Sequence, residues 1–281
     1  MLFPYSHKPD PIIMRRNRET ARALTFGVEL ECDGGDISKR LATTDKINAL
    51  TDRIYCKKDG SLDTGFEMVS HPGTLQHHMY ELPWNGVCNK AKKAGFTSHD
   101  AGTCGLHIHV GREQLGTTDE ERDRTIRKCI VIMNRYWTEI IKYTRRSRMT
   151  INRWAQCNPV DGYTPTTEIT DAWAERRIPT HRNNGNRYMA INCENRGTIE
   201  FRIFRGTLKR DTLIAAIQLV SNICEYAMTH TWDEIQMSTW LDVCRYRHYN
   251  ENDAYLTAKN LAPACERVYN TNRTPDFNGR N

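Results

Sequence analysis

Residues 104–111, CGLHIHVG, alternate strictly, and that alternation restricts the chain more than any other feature. Successive side chains of an extended strand point to opposite faces. Leu106, Ile108 and Val110 therefore share one face, and His107 and His109 share the other. The design recurs. In FGVELECD (26–33), Val28, Leu30 and Cys32 back a front of Glu29, Glu31 and Asp33. In GFEMVS (65–70), Glu67 stands between Phe66 and Met68. In TIEFRIFRG (198–206), Ile199, Phe201 and Ile203 oppose Glu200, Arg202 and Phe204. Any one of these strands could simply show its polar side to water. Four fronts made mainly of carboxylate and imidazole, with little Lys, Thr or Ser, predict one pocket if the strands are neighbours.

The segments between them read as follows. Residues 36–53 and 74–94 predict helices, the second interrupted by Pro83 and Gly86. Residues 117–147 give the clearest helix, opened by a capping box of Thr118 and Glu121. Residues 188–194 and 198–206 form a hairpin about a turn near 195–197. Helices are expected over 211–230 and 233–247. Residues 152–186 show no sustained period, and a connection that long is functional or disordered. Strands pairing locally, with helices inserted, predict an α+β fold with a largely antiparallel sheet. The expected organisation is a lead-in over 1–23, a single domain over 24–269 and a disordered tail over 270–281.

Composition narrows the function classes. No apolar run approaches the roughly 20 residues of a membrane span. The N-terminus lacks the basic-then-apolar order of a signal peptide. The 10 cysteines are scattered singly with no C-x-x-C pair, which argues against a zinc knuckle and for a reduced, cytoplasmic setting. The net charge of +6 gathers in arginine-rich stretches at 15–22, 145–148 and 176–187. These are either solvated surface or a lure for an anionic ligand. No nucleic-acid-binding motif accompanies them, so nucleic acid is a disfavoured partner.

The fronts carry a chemistry. Packed carboxylates repel and need cations. Same-face neighbours on a strand stand roughly 7 Å apart, so Glu29 and Glu31 suit two different metal ions. Carboxylate oxygen with an imidazole fits Mg²⁺ or Mn²⁺ better than zinc. Arginines beside such a cluster match phosphate, which points to phosphoryl transfer without a P-loop or a kinase signature.

The order FGVELE, DGSLDTGFEMVS, CGLHIHVG, RYMAIN and TIEFRIFRGTL resembles the amidoligase family, of the carboxylate–amine ligase superfamily, over roughly residues 24–225. The resemblance implies the catalytic fold of glutamine synthetase and glutamate–cysteine ligase: a curved antiparallel sheet with helices on its convex side, ATP and divalent metals on its concave face. It implies attack of a carboxylate on ATP to give an acyl phosphate, which an amine then converts to an amide. Carried over by position, Glu29, Glu31, Glu67, His107 and Glu200 match metal ligands. His109 is a companion to His107, and Arg202 is the phosphate contact. Arg202, Glu200 and His109 are thus the expected catalytic residues.

Arg202, Arg187, Asn192 and Arg205 are the expected contacts to nucleotide or substrate. Arg205 lies one residue out of phase with Arg202 and would need a bulge near Gly206 to reach the site. Asp59, in the D-G-S-L turn, reads as a turn-forming side chain. Residues 152–186 are a candidate lid, with Arg176, Arg177, His181 and Arg182 as contacts. The carboxylate and amine substrates stay open among amino acid, peptide, cell-wall fragment and protein side chain. Rival functions are a guanidino-kinase-like phosphotransferase on the same platform, a metal-dependent hydrolase, and a non-catalytic nucleotide- or nucleic-acid-binding scaffold.

Overall fold

A computed structural model describes residues 1–181 and 186–262. The chain runs β1 (Thr25–Cys32), α1 (Arg40–Asn48), β2 (Ile54–Lys57), β3 (Phe66–Ser70), β4 (Gly73–Thr74), α2 (Leu75–Tyr80) and α3 (Trp84–Lys93). It continues β5 (Gly105–Gly111), α4 (Asp119–Arg135), α5 (Trp137–Thr144), α6 (Arg148–Trp154), α7 (Asp171–Arg177), β6 (Ile191–Asn192) and β7 (Thr198–Arg205). Four helices follow: α8 (Arg210–Thr229), α9 (Trp232–Met237), α10 (Trp240–Cys244) and α11 (Asn250–Ala258).

The strands form one seven-stranded sheet in the order β2-β3-β1-β5-β7-β6, with β4 added beside β1. Every strand pairing is antiparallel. The fold is α+β with a mostly antiparallel sheet, as the alternation predicts. The four ionisable strands β3, β1, β5 and β7 are consecutive neighbours in that order. Their apolar faces, with Val28, Leu30, Met68, Ile108 and Phe201 fully buried, merge into one core with Ile126 and Ile130 of α4 and Ile214 and Ile217 of α8. At roughly 25 cal/mol per Å² of apolar surface removed from water, that core fixes which face each strand can show.

Several elements differ from the sequence reading. The helix expected at 117–147 keeps its capping box but breaks at Tyr136, whose backbone (φ −109°, ψ 28°) is not helical. There the Tyr136 hydroxyl is drawn to the Ser238 carbonyl at 2.6 Å. The helix expected at 233–247 is two short ones, because Ser238 and Thr239 both take extended backbone and Thr239 caps α10. Gly86, expected as an interruption, lies inside α3; the break between α2 and α3 spans residues 81–83 and ends at Pro83. The supposedly aperiodic 152–186 holds the end of α6 and all of α7.

The lead-in at 1–23 is not separate from the sheet. Phe3 bridges Lys57 on the edge strand β2, and Met14 bridges Gly73. Among the described residues no helix is long and apolar enough to cross a membrane, and nine cysteines are unpaired. The expected tail at 270–281 and Arg182 lie outside the described residues.

Candidate functional site: a carboxylate–histidine floor between two cavities

Register builds the site. Glu29 on β1 lies opposite His107 on β5, Glu31 opposite Glu67 on β3, and His109 opposite Glu200 on β7. Directly opposed residues on one face are close enough to interact strongly. Glu31, Glu67, His107, Glu200 and Arg202 are each 2–6% exposed, so the front of the sheet is covered.

The donor atoms converge in three groups, each within 4.8 Å: Glu29 with Glu67 and His107, Glu29 with His109 and Glu200, and Glu31 with Asp59 and Glu67. Glu29 belongs to two groups and Glu67 to two. His107 Nδ1 lies 3.5 Å from Glu29 Oε2 and 3.4 Å from Glu200 Oε1; His109 Nε2 lies 3.3 Å from Glu29 Oε1. None of these contacts has hydrogen-bond alignment, and both buried nitrogens lack a hydrogen-bond partner. Such orphaned atoms are rare in folded proteins and call for a ligand or an ion.

The charges agree. Burial opposes ionisation of Glu29, yet His109 and His107 hold its carboxyl well below the usual range. Burial likewise opposes the charge on Glu200, and His109, His107 and Arg202 more than offset it, so its pKa is lowered. Burial works against the imidazolium of His109, but Glu29 and Glu200 raise its pKa. Glu67 goes the other way. Burial, then repulsion from Glu29, pushes it well up, and Lys57 at 3.1 Å only partly relieves it. A floor that keeps Glu29 and Glu200 ionised beside a strained Glu67, with imidazole and hard oxygen donors in reach of one another, fits divalent cations of the Mg²⁺ or Mn²⁺ type.

Neighbouring residues hold the donors in place. Asn192 Nδ2 donates to Glu200 Oε2 at 2.7 Å, while Arg202 pairs with Glu200 Oε1. The Gly105 N–H donates to Glu31. Gly105 is needed there, because a Cβ would come within 2.9 Å of His107 Nε2. Asp33, in phase with Glu29 and Glu31, accepts instead from the Asp63 and Thr64 N–H groups at 2.9 Å and from the Thr103 hydroxyl. It clamps a loop and is no part of the floor.

Two cavities open from this floor and share Glu29. The first, about 570 Å³, is lined by Glu29, Glu31, Glu67 and His107 together with Lys58, Arg146, Arg187 and Arg202. Tyr5, Trp154 and Tyr188 supply aromatic walls. Trp154 meets Tyr188 edge-on at 5.1 Å, and the Arg187 and Arg202 guanidiniums each lie 5.9 Å from the Tyr188 ring. The second cavity, about 410 Å³, takes His109 and the glycines of β1 and β5.

The structure thus gathers Glu29, Glu31, Glu67, His107, His109, Glu200, Arg202 and Arg187 at one place. It does not bring Asn192 to a cavity wall; that residue orients Glu200. Nor does it bring Arg205 there. β7 does bulge between Phe201 and Phe204, and the register then sets Arg205 opposite Gly105, on the face of His107, yet Arg205 lines neither cavity. Burial, then repulsion from Arg145, lowers its guanidinium pKa. Of the lid candidates, Arg177 stacks over Trp173 and His181 pairs with Asp123 at 3.0 Å, both away from the cavity.

Sequence reasoning missed Tyr5, Arg146 and the full role of Asp59. Asp59 does form the expected turn, accepting from the Ser61 N–H at 2.8 Å, but it also joins the third donor group. Arg146 is half-buried, and its partial burial lowers its guanidinium to about 10. It came from an arginine run whose members look alike in sequence.

No curated protein matches the chain. Among solved structures, a bifunctional glutathione synthetase from Pasteurella multocida is similar at a TM-score of 0.38 and 11% identity, over 86% of this chain and 45% of that one. The chain spans about half the length of that relative. A family model described as "Putative amidoligase enzyme" matches residues 40–224, about two-thirds of the chain, and includes β3, β5 and β7 but not Glu29 or Glu31 of β1. By that match the chain belongs to the amidoligase family.

Proposed function

We propose that the protein is an ATP-dependent carboxylate–amine ligase working on a glutamine-synthetase-like sheet platform, with two or more divalent cations on the floor. One observation carries the reading: three donor groups linked through Glu29 and Glu67 adjoin a cavity that Glu29, Glu31, Glu67 and His107 line together with Arg146, Arg187 and Arg202. Carboxylates that need cations, opposite cations that need an anion, are the two halves of a metal–triphosphate site. Family membership supports the reaction class.

Bound Mg²⁺ or Mn²⁺ would neutralise the triphosphate and the approaching carboxylate. Glu29, Glu31, Glu67, Asp59, His107, His109 and Glu200 would hold it. The chain's own groups do the rest. Arg202, fixed by Glu200, and Arg187 and Arg146 stabilise charge on the transferring phosphoryl group. A carboxylate oxygen of the substrate bonds to the γ-phosphorus as the bond to the β,γ-bridging oxygen breaks, giving acyl phosphate and ADP. The amine then bonds to the carbonyl carbon, phosphate leaves, and the amine loses a proton. Covering the floor keeps water from the acyl phosphate.

Hydroxylamine tests this directly. It intercepts acyl phosphates as hydroxamates, so a panel of amino acids and peptides incubated with Mg²⁺, ATP and hydroxylamine should release ADP and hydroxamate together. ADP release with phosphorylated guanidine product would favour a kinase. Absence of any Mg²⁺-dependent nucleotide binding to folded protein would defeat the reading.

A further inference from the structure

The two cavities differ in charge. The first has four cationic side chains in its wall, Lys58, Arg146, Arg187 and Arg202. Among the described residues lining the second there is no lysine or arginine; its ionisable members are Glu29, Glu113 and His109. The rest of its wall is mostly apolar or small, with Ile13, Val69 and Pro72 beside Gly27, Gly111 and Gly197, and it carries the neutral polar side chains of Thr25, Ser70, Gln114 and Thr198. The His-x-His strand divides between them: His107 lines the first cavity and His109 the second. An anion entering the second cavity would meet two carboxylates and no lysine or arginine, with His109 the one group there able to carry positive charge. A cation with an apolar body would meet Glu29, Glu113 and a largely apolar wall.

Gly27 makes the space. It lies on the same face as Glu29, two residues before it, and opposite His109. Any larger residue there would fill the cavity floor. A Cβ at Gly27 would sit 3.5 Å from the His109 Cβ, an ordinary contact, so the backbone does not demand glycine.

We infer that the second cavity is the amine subsite, and that it takes a primary alkylamine without a neighbouring carboxylate. The alkylammonium faces Glu113 and Glu29, its chain lies along Ile13 and Val69, and its nitrogen reaches the floor at Glu29. The nucleotide then occupies the first cavity alone, with its phosphates on the arginines and its base against Tyr5, Trp154 and Tyr188. An α-amino acid is disfavoured, because its carboxylate would lie against Glu29 and Glu113 with no lysine or arginine to pair with. The inference rests on the ligase reading for the word amine, but the cavity's preference for a cation can be measured without turnover.

The test is saturation-transfer NMR with n-butylamine and, separately, glycine as probes, on the full chain, with and without Mg²⁺ and a non-hydrolysable ATP analogue. Butylamine should bind, glycine should not, and the analogue should leave the butylamine signal in place. Gly27→Val, which fills the floor, and Glu113→Lys, on the solvent-facing turn after β5, should each weaken butylamine by about tenfold or more. Affinity for the ATP analogue should change less than about twofold. Displacement of butylamine by the analogue would assign the second cavity to the nucleotide and overturn the inference. Unchanged butylamine binding in both variants would also overturn it. Failure of the wild type to bind the analogue would sink the ligase reading, while the nucleotide-free butylamine arm would still decide the cavity.

Discussion

Strand β1 has a histidine environment on each side, and the two are built oppositely. Behind it, His78 of α2 is wholly buried; its Nε2–H donates to the Phe26 carbonyl at 2.8 Å, and its Nδ1 accepts from the Trp84 indole at 3.4 Å. Every polar atom of that ring is used, and burial lowers its pKa to about 4, keeping it neutral. In front, His107 and His109 crowd against Glu29 and Glu200, and one nitrogen of each ring has no hydrogen-bond partner. The rear is complete in itself. The front is finished only by something bound. Buried histidine is common to both, so burial alone marks neither; the unpaired donors and the excess carboxylate mark the functional face.

That contrast can be broken in several places. Glu29→Gln should have the largest effect, since Glu29 belongs to two of the three donor groups. Mg²⁺-dependent nucleotide affinity should fall by about a hundredfold or more, with at most a modest fall in melting temperature as the pairing of its charge with His109 and His107 is lost. Calorimetric titration paired with a thermal melt reads both; a large drop in melting temperature would make Glu29 structural.

The rear should respond in the reverse sense. Free imidazole takes its proton near 6.5 and buried His78 near 4, so between those values the unfolded state binds more protons and stability falls as pH falls. The contribution is complete above 6.5 and gone below 4, about 3 kcal/mol in all. His78→Gln should flatten this part of a urea-denaturation pH series. It should leave nucleotide binding intact, whereas loss of binding would couple the two sides. Glu29 and Glu200, whose pKa values are lowered, contribute stability above the carboxylate range and lose it only at more acid pH.

The smallest effect sharpens the comparison within the front. Asn192→Ala frees Glu200 Oε2 without touching a cavity wall. An orienting residue of this kind should cost about tenfold in cation affinity and leave the number of bound ions unchanged. Loss of an ion would make Asn192 a ligand.

The floor was legible in sequence because an alternating strand with one face in a core has little freedom of register. Alternation puts Glu29, Glu31, Glu67, His107, His109, Glu200 and Arg202 on the fronts, but it puts Asp33 there too; the family resemblance singled out the ligands, and the structure turns Asp33 to the 63–64 loop. The cavity walls were not legible. Tyr5 precedes the sheet by some twenty residues and reaches the site only because Phe3 pairs with Lys57 on the edge strand. Arg146 is half-buried while its neighbours Arg145 and Arg148 are exposed, a distinction made by the turn between α5 and α6 and invisible in a run of arginines. The position of the β7 bulge, which decides where Arg205 goes, depends on packing across β5 and leaves no mark in TIEFRIFRG. Asp59 serves a turn and a donor group at once, and the turn accounts for it fully at the level of sequence.

The central claim is that the front of the sheet is a multi-cation nucleotide floor, and counting the ions tests it most directly. Equilibrium dialysis of Mn²⁺ against the protein, with a non-hydrolysable ATP analogue present, should give about two or more ions per chain. His78→Gln should keep that number and Glu29→Gln should lower it. Fewer than about one ion per folded wild-type chain, or the same count in Glu29→Gln, would contradict the account.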